Sequence, residues 1–259
     1  MAPNTARLLD GKCAFVTGGS GGIGRALCVR FASLGATVAF SYFSDHEAAD
    51  ETSRLVQEAG GPGAKAPATF RGNLADAADC KRIGEEVLAA MPAVDVFVSN
   101  AASGVLKPVT ELTAKHWDWT IGVNARSFLI LANALAPTMP PGGRILALSS
   151  MGATRAIPLY GVIGASKAAL EATVRALALE LGAKGITVNA ISPGVVETGA
   201  LEHFPNKEEL LAISKMRTPV GRIATPEDVA DVAELLCSPK AKMIHGQTIS
   251  VDGGFNIIA

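Results

Sequence analysis

Residues 12–24, KCAFVTGGSGGIG, are the stretch from which the fold of this chain is predicted. Lys12 to Thr17 is a short apolar run that breaks into glycine, which is typical of a buried parallel strand. The glycines of Thr17 to Gly24 then open a helical pattern over Arg25 to Leu34. A glycine-rich turn between a strand and a helix lets backbone amides approach a pyrophosphate at the helix N-terminus. This context favours dinucleotide binding over a glycine turn without a ligand.

Strand and helix patterns alternate along the rest of the chain. Further strands are predicted at Thr37 to Tyr42, Thr69-Phe70, Val94 to Ser99, Ile145 to Ser149, Gly185 to Ile191 and Gln247 to Val251. Further helices are predicted at Asp45 to Ala59, Thr113 to Thr138, Gly161 to about Leu181, and Thr225 to Cys237. The absence of a repeat, a low-complexity tract or a linker predicts one domain over residues 1–259. We expect an α/β fold with a single doubly wound parallel sheet of about seven strands, flanked by helices on both faces.

Composition and charge narrow the class of protein. The 259 residues are 49% hydrophobic and 18% charged, which is enough apolar material for a large buried core. The formal net charge of −1 gives no reason to expect nucleic acid or an anionic membrane as a partner. The segment MAPNTARLLD lacks the apolar stretch of a signal peptide, and the most apolar run, residues 128–136, is too short to span a bilayer. With four widely spaced cysteines, these features predict a soluble protein of the reducing cytoplasm.

Residues 149–167, SSMGATRAIPLYGVIGASK, form the candidate catalytic segment. Tyr160 and Lys167 stand seven residues apart at a predicted helix, so they share a face. A phenol near a lysine ammonium can have its pKa lowered, and a phenol can donate a proton to developing oxyanion charge. On spacing alone, the commoner explanation is an ordinary Tyr–Lys pair on an amphipathic helix, so the surrounding chain has to decide between the two.

Five motifs, in the right order and spacing, resemble those of the short-chain dehydrogenase/reductase family. They are TGGSGGIG (Thr17–Gly24), Asn100-Ala101-Ala102 after a strand, Asn124 in a long helix, the Ser/Tyr/Lys set, and Pro193-Gly194 after a strand. The resemblance covers the chain from Lys12 to Gly254 and implies a Rossmann fold, a nicotinamide dinucleotide cofactor and a homotetramer. Asn124 resembles the helix-bending asparagine of the family, for which a lone buried amide is the alternative.

The tyrosine position departs from the pattern of most of the family. There the tyrosine stands four residues before the lysine, and this chain has Ile163 at that position. A spacing of seven resembles the enoyl-acyl-carrier-protein reductases of bacterial fatty-acid synthesis. Three further segments are similar to the NADPH-using branch of those enzymes: NAASGVLKP (100–108), HWDWT (116–120) and TGALEHFPNKEELL (198–211).

The displaced tyrosine suits the chemistry of an enoyl thioester. In ketone reduction, hydride goes to the carbon that bears the oxygen to be protonated. In enoyl-thioester reduction, hydride goes to C3, and negative charge appears on the thioester oxygen three bonds away. The acid must then stand further off by about one helical turn, which is ~5 Å of rise. The resemblance implies that Tyr160 donates to the enolate oxygen, while Lys167 holds the nicotinamide-ribose hydroxyls and keeps Tyr160 acidic.

Ser150 stands where the wider family places its catalytic serine. Many enoyl reductases carry a second tyrosine there, and a strand-end hydroxyl that caps the backbone is the plainer alternative. The catalytic candidates are Tyr160, Lys167, Ser150 and Asn124. The resemblance implies a cofactor site of Gly18, Gly19, Ser20, Gly22, Ile23, Gly24, Ser44, Asn73, Leu74, Asn100, Ala101, Lys167, Gly194, Val196 and Thr198. The implied substrate site consists of Ala102, Ser103, Leu201 and Phe204.

The segment from Val195 to Ser214 is longer than an ordinary connection between a strand and a helix. We therefore expect a helical lid over the substrate at about residues 195–215, with a packed surface helix hairpin as the alternative. The apolar residues of this segment suit an acyl chain. Its basic residues and those just after it suit an acidic acyl carrier protein, although a solvated charged face is the commoner explanation. They are Lys207, Lys215, Arg217 and Arg222.

The end of the second predicted strand bears on the choice of cofactor. Tyr42 to Asp45 offers no Lys or Arg for a 2′-phosphate, and the arginines of the related NADPH-using enzymes correspond to Gly21 and Ser44 here. A buried phosphate without a cation is costly, so a preference for NADH is predicted. NADPH stays open, because Tyr42 also replaces the acidic residue that usually selects NAD.

Three functions are open at this point, and the first is favoured. It is the reduction of trans-2-enoyl thioesters on acyl carrier protein by NAD(P)H. The second is a carbonyl or alcohol oxidoreductase acting on a 3-oxoacyl thioester or another carbonyl, and the tyrosine spacing counts against it. The third is a catalytically silent NAD(P)H-binding protein, against which the presence of Tyr160 and Lys167 counts. No metal is predicted, because His116 and His203 have no second ligand at suitable spacing.

Overall fold

The structure is a computed structural model that describes residues 7–199, 201 and 207–258. The strands in this part of the chain are β1 (Cys13–Thr17), β2 (Thr37–Tyr42), β3 (Ala68–Arg71), β4 (Val96–Ser99), β5 (Arg144–Leu148), β6 (Thr187–Pro193) and β7 (Thr248–Val251). The α-helices are α1 (Gly22–Ser33), α2 (His46–Gly60), α3 (Ala77–Ala90), α4 (Ala114–Ile121), α5 (Ser127–Leu135), α6 (Gly161–Leu181), α7 (Lys207–Arg217) and α8 (Pro226–Cys237).

The strands form one parallel sheet in the order β3-β2-β1-β4-β5-β6-β7. The chain runs from β1 outward to β3 and then returns to place β4 on the other side of β1, so the strand order reverses there. Ala14 of β1 accordingly pairs with Val38 of β2 and with Val96 of β4. In such a sheet, a crevice opens at the carboxyl ends of the strands where the order reverses. The predicted doubly wound parallel sheet is confirmed, and this crevice falls at the glycine-rich loop after β1.

Alternate residues of β1 face two separate apolar layers. Cys13 and Phe15 belong to the layer on one face of the sheet, whereas Ala14 and Val16 belong to the layer on the other. Helices α3, α5 and α6 contribute to the first layer, and α1, α2 and α8 contribute to the second. Phe15 stacks on Phe97 of β4 in the first layer, with ring centroids 5.8 Å apart. Because both faces are covered, β1 is buried along its whole length, as its apolar run predicted.

The long helix predicted from Thr113 to Thr138 contains a π-helical turn. A π-helical turn, Gly122–Arg126, separates α4 from α5. Asn124 lies within this turn, and its side chain is hydrogen-bonded to the backbone of Ser103. A single π turn widens a helix locally, and such turns are frequent at functional sites. The predicted long helix is therefore confirmed in its main part, from Ala114 to Leu135, and the π turn within it was not predicted.

The predicted lid is described only in part. Val196 forms an isolated parallel bridge with Ala224, Leu201 is buried, and Lys207–Arg217 form α7. The substrate candidate Phe204 lies outside the described residues. The lid role of this segment and the single-domain organisation over residues 1–259 stay predictions. Within the described ranges, no helix has the length and apolarity that a bilayer crossing requires.

Candidate active site

Two adjoining cavities open at the carboxyl ends of the strands. The smaller, of about 540 Å³, lies at the glycine-rich loop and the ends of β2 and β3. The larger, of about 1250 Å³, lies beside the ends of β5 and β6 and the start of α6. Asn100, Ser103 and Thr198 are among the residues that line both cavities. The two cavities therefore form one continuous site.

Most of the predicted site residues line these cavities. The cofactor candidates on the smaller cavity are Gly18, Ser20, Gly22, Ile23, Gly24, Asn73, Leu74, Asn100, Ala101 and Thr198. The larger cavity is lined by Ser150, Tyr160, Lys167, Gly194 and Val196, and by the substrate candidates Ala102, Ser103 and Leu201. Among the candidates that the structure describes, three line neither cavity: Gly19, Ser44 and Asn124. Gly19 instead packs against Phe40, where an added Cβ would stand 2.5 Å from the Phe40 Cβ, and Ser44 is exposed.

Close backbone contacts shape the glycine-rich loop. Gly18 has a φ of +66°, in the left-handed region that favours glycine, and a Cβ at Gly24 would stand 2.1 Å from the Gly18 carbonyl oxygen. The Asn100 side-chain amide donates to the carbonyl oxygens of Thr17 and Gly18 at 2.9 and 3.0 Å. The Thr17 hydroxyl accepts hydrogen bonds from the backbone N–H groups of Asn100 and Ala101. These bonds tie the end of β1 to the end of β4.

The start of α1 suits an anionic group. Its N-cap, Gly21, offers no side-chain hydrogen bond to the helix, and the first turn carries no acidic residue. The first N–H groups of a helix lack partners within it and, with the helix dipole, stabilise a phosphate. The buried ammonium of Lys167 lies on the adjoining cavity. The residues present therefore fit a dinucleotide, with the start of α1 as the group that would hold the pyrophosphate and Lys167 as the group that would hold the nicotinamide ribose.

Tyr160 and Ser150 form a hydroxyl pair in the larger cavity. The Tyr160 hydroxyl donates to Ser150 Oγ at 3.3 Å, and Ser150 Oγ also accepts from the Gly152 N–H at 3.2 Å. Ser150 therefore both caps the backbone and contacts Tyr160. Tyr160 is the N-cap of α6, which begins at Gly161. The residue before it, Leu159, has a φ of +64°, a strained conformation for a residue with a branched side chain.

Burial shifts the pKa values of Tyr160 and Lys167. It raises the pKa of the Tyr160 phenol, and the hydrogen bond with Ser150 offsets part of that rise. The expectation that Lys167 lowers the pKa of Tyr160 is wrong, because desolvation of the phenolate is the dominant cause of the shift. The Lys167 ammonium donates to the Leu148 carbonyl oxygen at 2.6 Å, and burial lowers its pKa to about 8. The phenol consequently stays protonated at neutral pH and is available as a hydrogen-bond donor.

Asn124 acts on the backbone around the cavities. Its Oδ1 accepts from the Ser103 N–H, and its Nδ2 donates to the Ser103 carbonyl oxygen, both at 2.9 Å. The same Nδ2 donates to the Ser166 hydroxyl at 2.8 Å, and that hydroxyl donates to the Ile163 carbonyl oxygen at 2.7 Å. Asn124 therefore joins the loop after β4 to the first turns of α6. This geometry gives it a positioning role between the two cavities.

The chain is similar to known reductases over nearly its whole length. A family model described as "Enoyl-(Acyl carrier protein) reductase" matches residues 18–256. A 1-cyclohexenylcarbonyl-CoA reductase of Streptomyces collinus is 37% identical over 96% of this chain and 88% of its own length. The chain belongs to the short-chain dehydrogenase/reductase family.

Two further similarities agree with membership of the short-chain dehydrogenase/reductase family. The hydroxynaphthalene reductase-like protein Arp2 of Metarhizium guizhouense is 33% identical over 96% of this chain and 97% of its own length. A short-chain dehydrogenase from Burkholderia cenocepacia, solved in complex with NADP, superposes with a TM-score of 0.87 at 31% identity, over 96% of this chain and 99% of that one. The chain is therefore an oxidoreductase with an NAD(P)-binding fold, as the resemblance implied.

Within this short-chain dehydrogenase/reductase, Ile163 occupies the position that resemblance assigns to the family's usual tyrosine. Its side chain lines the larger cavity. It packs tightly against the loop after β4, since a Cβ added at Gly104 would stand 2.2 Å from Ile163 Cγ1. An apolar surface therefore replaces the phenol at this position. No group of three His, Cys, Asp or Glu side chains suited to a metal lies among the residues that the structure describes.

A buried contact behind the site was not predicted from the sequence. The Ser149 hydroxyl donates to Glu171 Oε1 at 2.5 Å, and both residues are buried. Glu171 follows Lys167 by one turn of α6, where an acidic residue would ordinarily indicate a solvent-facing position. The bond fixes the end of β5 directly before Ser150. The serine pair at 149 and 150 was the available signal, because a buried serine needs a partner.

We expect Gly24→Ala to lower dinucleotide affinity by on the order of tenfold. The added Cβ would stand 2.1 Å from the Gly18 carbonyl oxygen, so the loop has to move away from α1. Gly21→Ala is the matched control, because no atom lies within 4 Å of a Cβ built there. Calorimetric titration of both variants with NADH and NADPH measures the effect. Equal losses in the two variants would contradict the role given to the close approach at Gly24.

Lys167→Met tests the burial of the ammonium through the pH dependence of stability. The folded pKa of Lys167 is about 8, and the ordinary value is 10.5. Below pH 8 the lysine is charged in both states, and the desolvation of its charge opposes folding by on the order of 3 kcal/mol. Between these two pKa values the unfolded chain binds more protons, so the free energy of unfolding gains a component that rises with pH.

We expect that rising component in the unmodified chain and not in Lys167→Met. The unfolding free energies of the two proteins should differ most below pH 8 and converge toward pH 10.5, as measured by chemical denaturation across that range. Lys184→Met, at an exposed lysine, is the control that should keep the pH profile of the unmodified chain. Parallel profiles for the unmodified chain and Lys167→Met would show that the ammonium is not desolvated as described.

Proposed function

We propose that this chain reduces trans-2-enoyl thioesters with NAD(P)H, and that its substrate in fatty-acid synthesis is bound to acyl carrier protein. One observation carries the proposal. The Tyr160 hydroxyl lies beside Ser150 at the start of α6, while an apolar side chain, Ile163, faces the same cavity one turn later. The proton-donating group is therefore displaced from the position that suits a ketone, and it suits an oxygen further along the substrate.

The roles of the residues follow from where charge develops. Bound NAD(P)H supplies the hydride that reaches C3 of the enoyl group. The Tyr160 phenol, kept protonated by burial, donates a hydrogen bond to the thioester oxygen as that oxygen becomes negative. Ser150 orients the phenol through the hydrogen bond between the two hydroxyls. A proton taken up from solvent at C2 completes the reduction, and Lys167 would anchor the nicotinamide ribose.

The larger cavity suits an acyl chain on an anionic carrier. Its described lining residues include Lys167, Arg155 and Arg217 but no Asp or Glu. Arg155 donates to the Asn256 carbonyl oxygen at 2.8 Å, and the Arg217 guanidinium lies 5.2 Å from the centre of the Phe255 ring. Two cations thus stand at the C-terminal segment that borders the cavity. They suit the phosphate of the phosphopantetheine arm that acyl carrier protein shares with coenzyme A.

The relatives favour two different substrates. The Streptomyces collinus relative is named for the reduction of an unsaturated acyl-coenzyme A, which supports the thioester proposal. A carbonyl reductase is the second candidate function, and the hydroxynaphthalene reductase-like relative favours it. The Ser150–Tyr160 pair also favours it, because two neighbouring hydroxyls can contact one carbonyl oxygen. A catalytically silent dinucleotide-binding protein is the third, and a buried lysine on the same cavity as the Tyr160 phenol counts against it.

Crotonyl and acetoacetyl thioesters, assayed side by side for NAD(P)H oxidation, test the proposal. We expect the crotonyl thioester to be the better substrate of the unmodified chain. Tyr160→Phe should lower that rate by ~10²–10³ with little change in cofactor affinity, because one hydroxyl is lost from a water-poor site. Lys167→Ala should weaken cofactor binding as well as turnover, because its proposed partner is the ribose.

Ile163→Tyr tests whether the seven-residue spacing of Tyr160 and Lys167 determines the reaction. It restores the four-residue interval before Lys167 and should raise acetoacetyl activity relative to crotonyl activity. If Tyr160→Phe left enoyl reduction unaffected while carbonyl reduction collapsed, the carbonyl function would replace the proposed one. If the unmodified chain bound the cofactor but reduced neither thioester, the silent function would replace it.

We also propose that Arg71 lets the site accept the 2′-phosphate of NADPH. The preference for NADH predicted from the sequence rested on the lack of a cation at Gly21 and Ser44, and the relative solved with NADP lends that preference no support. Arg71 ends β3 opposite Tyr42 in the strand register. Its Nε donates to the Phe43 carbonyl oxygen at 3.3 Å, and the residue is exposed. A guanidinium therefore stands at the loop that follows β2, on a neighbouring strand.

Arg71→Gln should lower kcat/KM with NADPH by about tenfold and barely change it with NADH, because a charge-assisted bond to phosphate is lost. Arg54→Gln, at an exposed arginine of α2 paired with Glu51 and Glu58, is the control and should change neither value. The measurement is steady-state kinetics with both cofactors. Equal losses with the two cofactors in Arg71→Gln, or a clear preference of the unmodified chain for NADH, would contradict this assignment.

We further propose that the enzyme works as a homotetramer in the cytoplasm, with residues 195–215 as a lid over the acyl chain. The tetramer rests on the family resemblance alone. The compartment is supported by four free, buried cysteines in the described part of the chain, which suit a reducing environment. The lid is supported by Leu201, Leu210 and Ile213, whose side chains line the larger cavity.

A further inference from the structure

Trp119 contacts the loops after β2 and β4, and the similarity of the segment HWDWT (116–120) that contains it to enoyl reductases assigned it no role. It lies on α4, is half-buried, and lines the smaller cavity. Its indole N–H donates to Ser103 Oγ at 2.9 Å. Its ring meets Phe43 edge to face, with centroids 6.5 Å apart and an angle of 69° between the planes. One end of the indole therefore reaches the loop after β4, while its ring packs with the loop after β2.

Ser103 is the point at which the two cavities meet. It lines both of them, and it lies in a stretch, residues 101–106, that has no regular secondary structure. Asn124 binds the N–H and the carbonyl oxygen of Ser103, and Trp119 binds its hydroxyl. Three side-chain hydrogen bonds thus fix one residue of an otherwise irregular loop. The bond from Trp119 is the one that also connects this loop to the aromatic rim of the smaller cavity.

We propose that Trp119 is a positioning residue for both ligands. Its ring, together with Phe43, packs against the adenosine half of the dinucleotide, and its N–H holds the Ser103 loop in place for the acyl thioester. The proposal rests on the proposed function only for the identity of that thioester. Aromatic faces stack well on a nucleobase, and Phe43 is 56% exposed at the rim of the cavity, so its surface is available to one.

The hydrogen bond and the ring have separable effects. An indole N–H is a donor only, and a phenylalanine ring keeps most of the packing while it removes that donor. In Trp119→Phe the Ser103 hydroxyl loses a partner, and in Ser103→Ala the indole loses its acceptor. Each single variant therefore removes the same bond. The double variant has nothing further to lose from that bond, which makes the pair suitable for a double-mutant cycle.

Thioester kinetics and cofactor affinity, measured on these three variants, test the hydrogen bond. Trp119→Phe and Ser103→Ala should each raise KM for the thioester by ~3–10-fold, which is the effect of one hydrogen bond, with the dissociation constant of the cofactor nearly unchanged. The double variant should be no worse than the more impaired single variant. Trp117→Phe is the matched control on the same helix, because Trp117 is 50% exposed and lines neither cavity.

Tryptophan fluorescence tests the contact with the cofactor without any turnover. The chain contains two tryptophans, so Trp117→Phe leaves Trp119 as the single emitter. Saturating NAD⁺ or NADP⁺ should then lower the acrylamide quenching constant of Trp119 about twofold or more, because the bound nucleotide covers the ring. In Trp119→Phe, where Trp117 alone emits, the quenching constant should stay unchanged.

Each arm has a result that overturns its part of the proposal. Additive losses in the double variant, or an unchanged KM in Trp119→Phe, would show that the bond to Ser103 does not position the substrate loop. If saturating cofactor left the acrylamide quenching constant of Trp119 unchanged, the ring would not contact the dinucleotide. If the chain reduces acetoacetyl and not crotonyl thioesters, the proposed function fails, and the same cycle run on the acetoacetyl thioester still decides the role of Trp119.

Discussion

The side-chain amide of Asn100 holds together the two strand ends on which the site depends. β1 and β4 are paired neighbours in the sheet, and the helices that follow them, α1 and α4–α5, begin beyond the paired part of the strands. The Asn100 side chain joins the two strand ends by donating to the carbonyl oxygens of Thr17 and Gly18. The Thr17 hydroxyl accepts hydrogen bonds from the backbone N–H groups of Asn100 and Ala101, which follow β4. This local network satisfies polar groups that a tight glycine turn leaves without strand partners.

The catalytic side of the cavity is built from features that separately oppose folding. A lysine ammonium is buried, Leu159 has a positive φ, and the helix that carries Asn124 contains a π turn. Such features persist only where several surrounding contacts hold them in place. Here Asn124 binds Ser103 and Ser166, so one side chain fixes the loop and α6 together. The stability of the sheet core therefore offsets a site that is strained locally.

The sequence was sufficient for the sheet and for most residues that line the cavities. Alternating apolar strands and helices, with glycines after the first strand, follow from periodicity, and the motif order brought Ser150, Tyr160 and Lys167 to one cavity. Contacts between residues far apart in the chain could not be predicted from periodicity or from the order of the motifs. Arg71 reaches the loop after β2 from the adjacent strand, which a search of that loop alone misses. The bond between Ser149 and Glu171 likewise depends on how α6 lies against β5.

The pKa of Tyr160 shows how a sound local argument fails without burial. A lysine two turns away predicts a lowered phenol pKa, and the direction reverses because partial burial of Tyr160 disfavours the charged phenolate. The reversal does not weaken the chemistry assigned to the residue. A phenol that stays protonated is a better hydrogen-bond donor to an enolate oxygen than one that is partly ionised at neutral pH.

The displacement of the tyrosine has a different physical basis from the one that its spacing predicts. A separation of one helical turn presumes that positions 160 and 163 belong to the same helix. Tyr160 instead precedes α6, in a turn closed by the bond from its N–H to the Ile157 carbonyl oxygen. Its ring packs over Gly152, where an added Cβ would stand 2.6 Å from the ring.

The turn before α6 therefore places the phenol, while α6 itself places Lys167. Because separate elements carry Tyr160 and Lys167, a change in the turn can move the phenol along the cavity without moving the lysine.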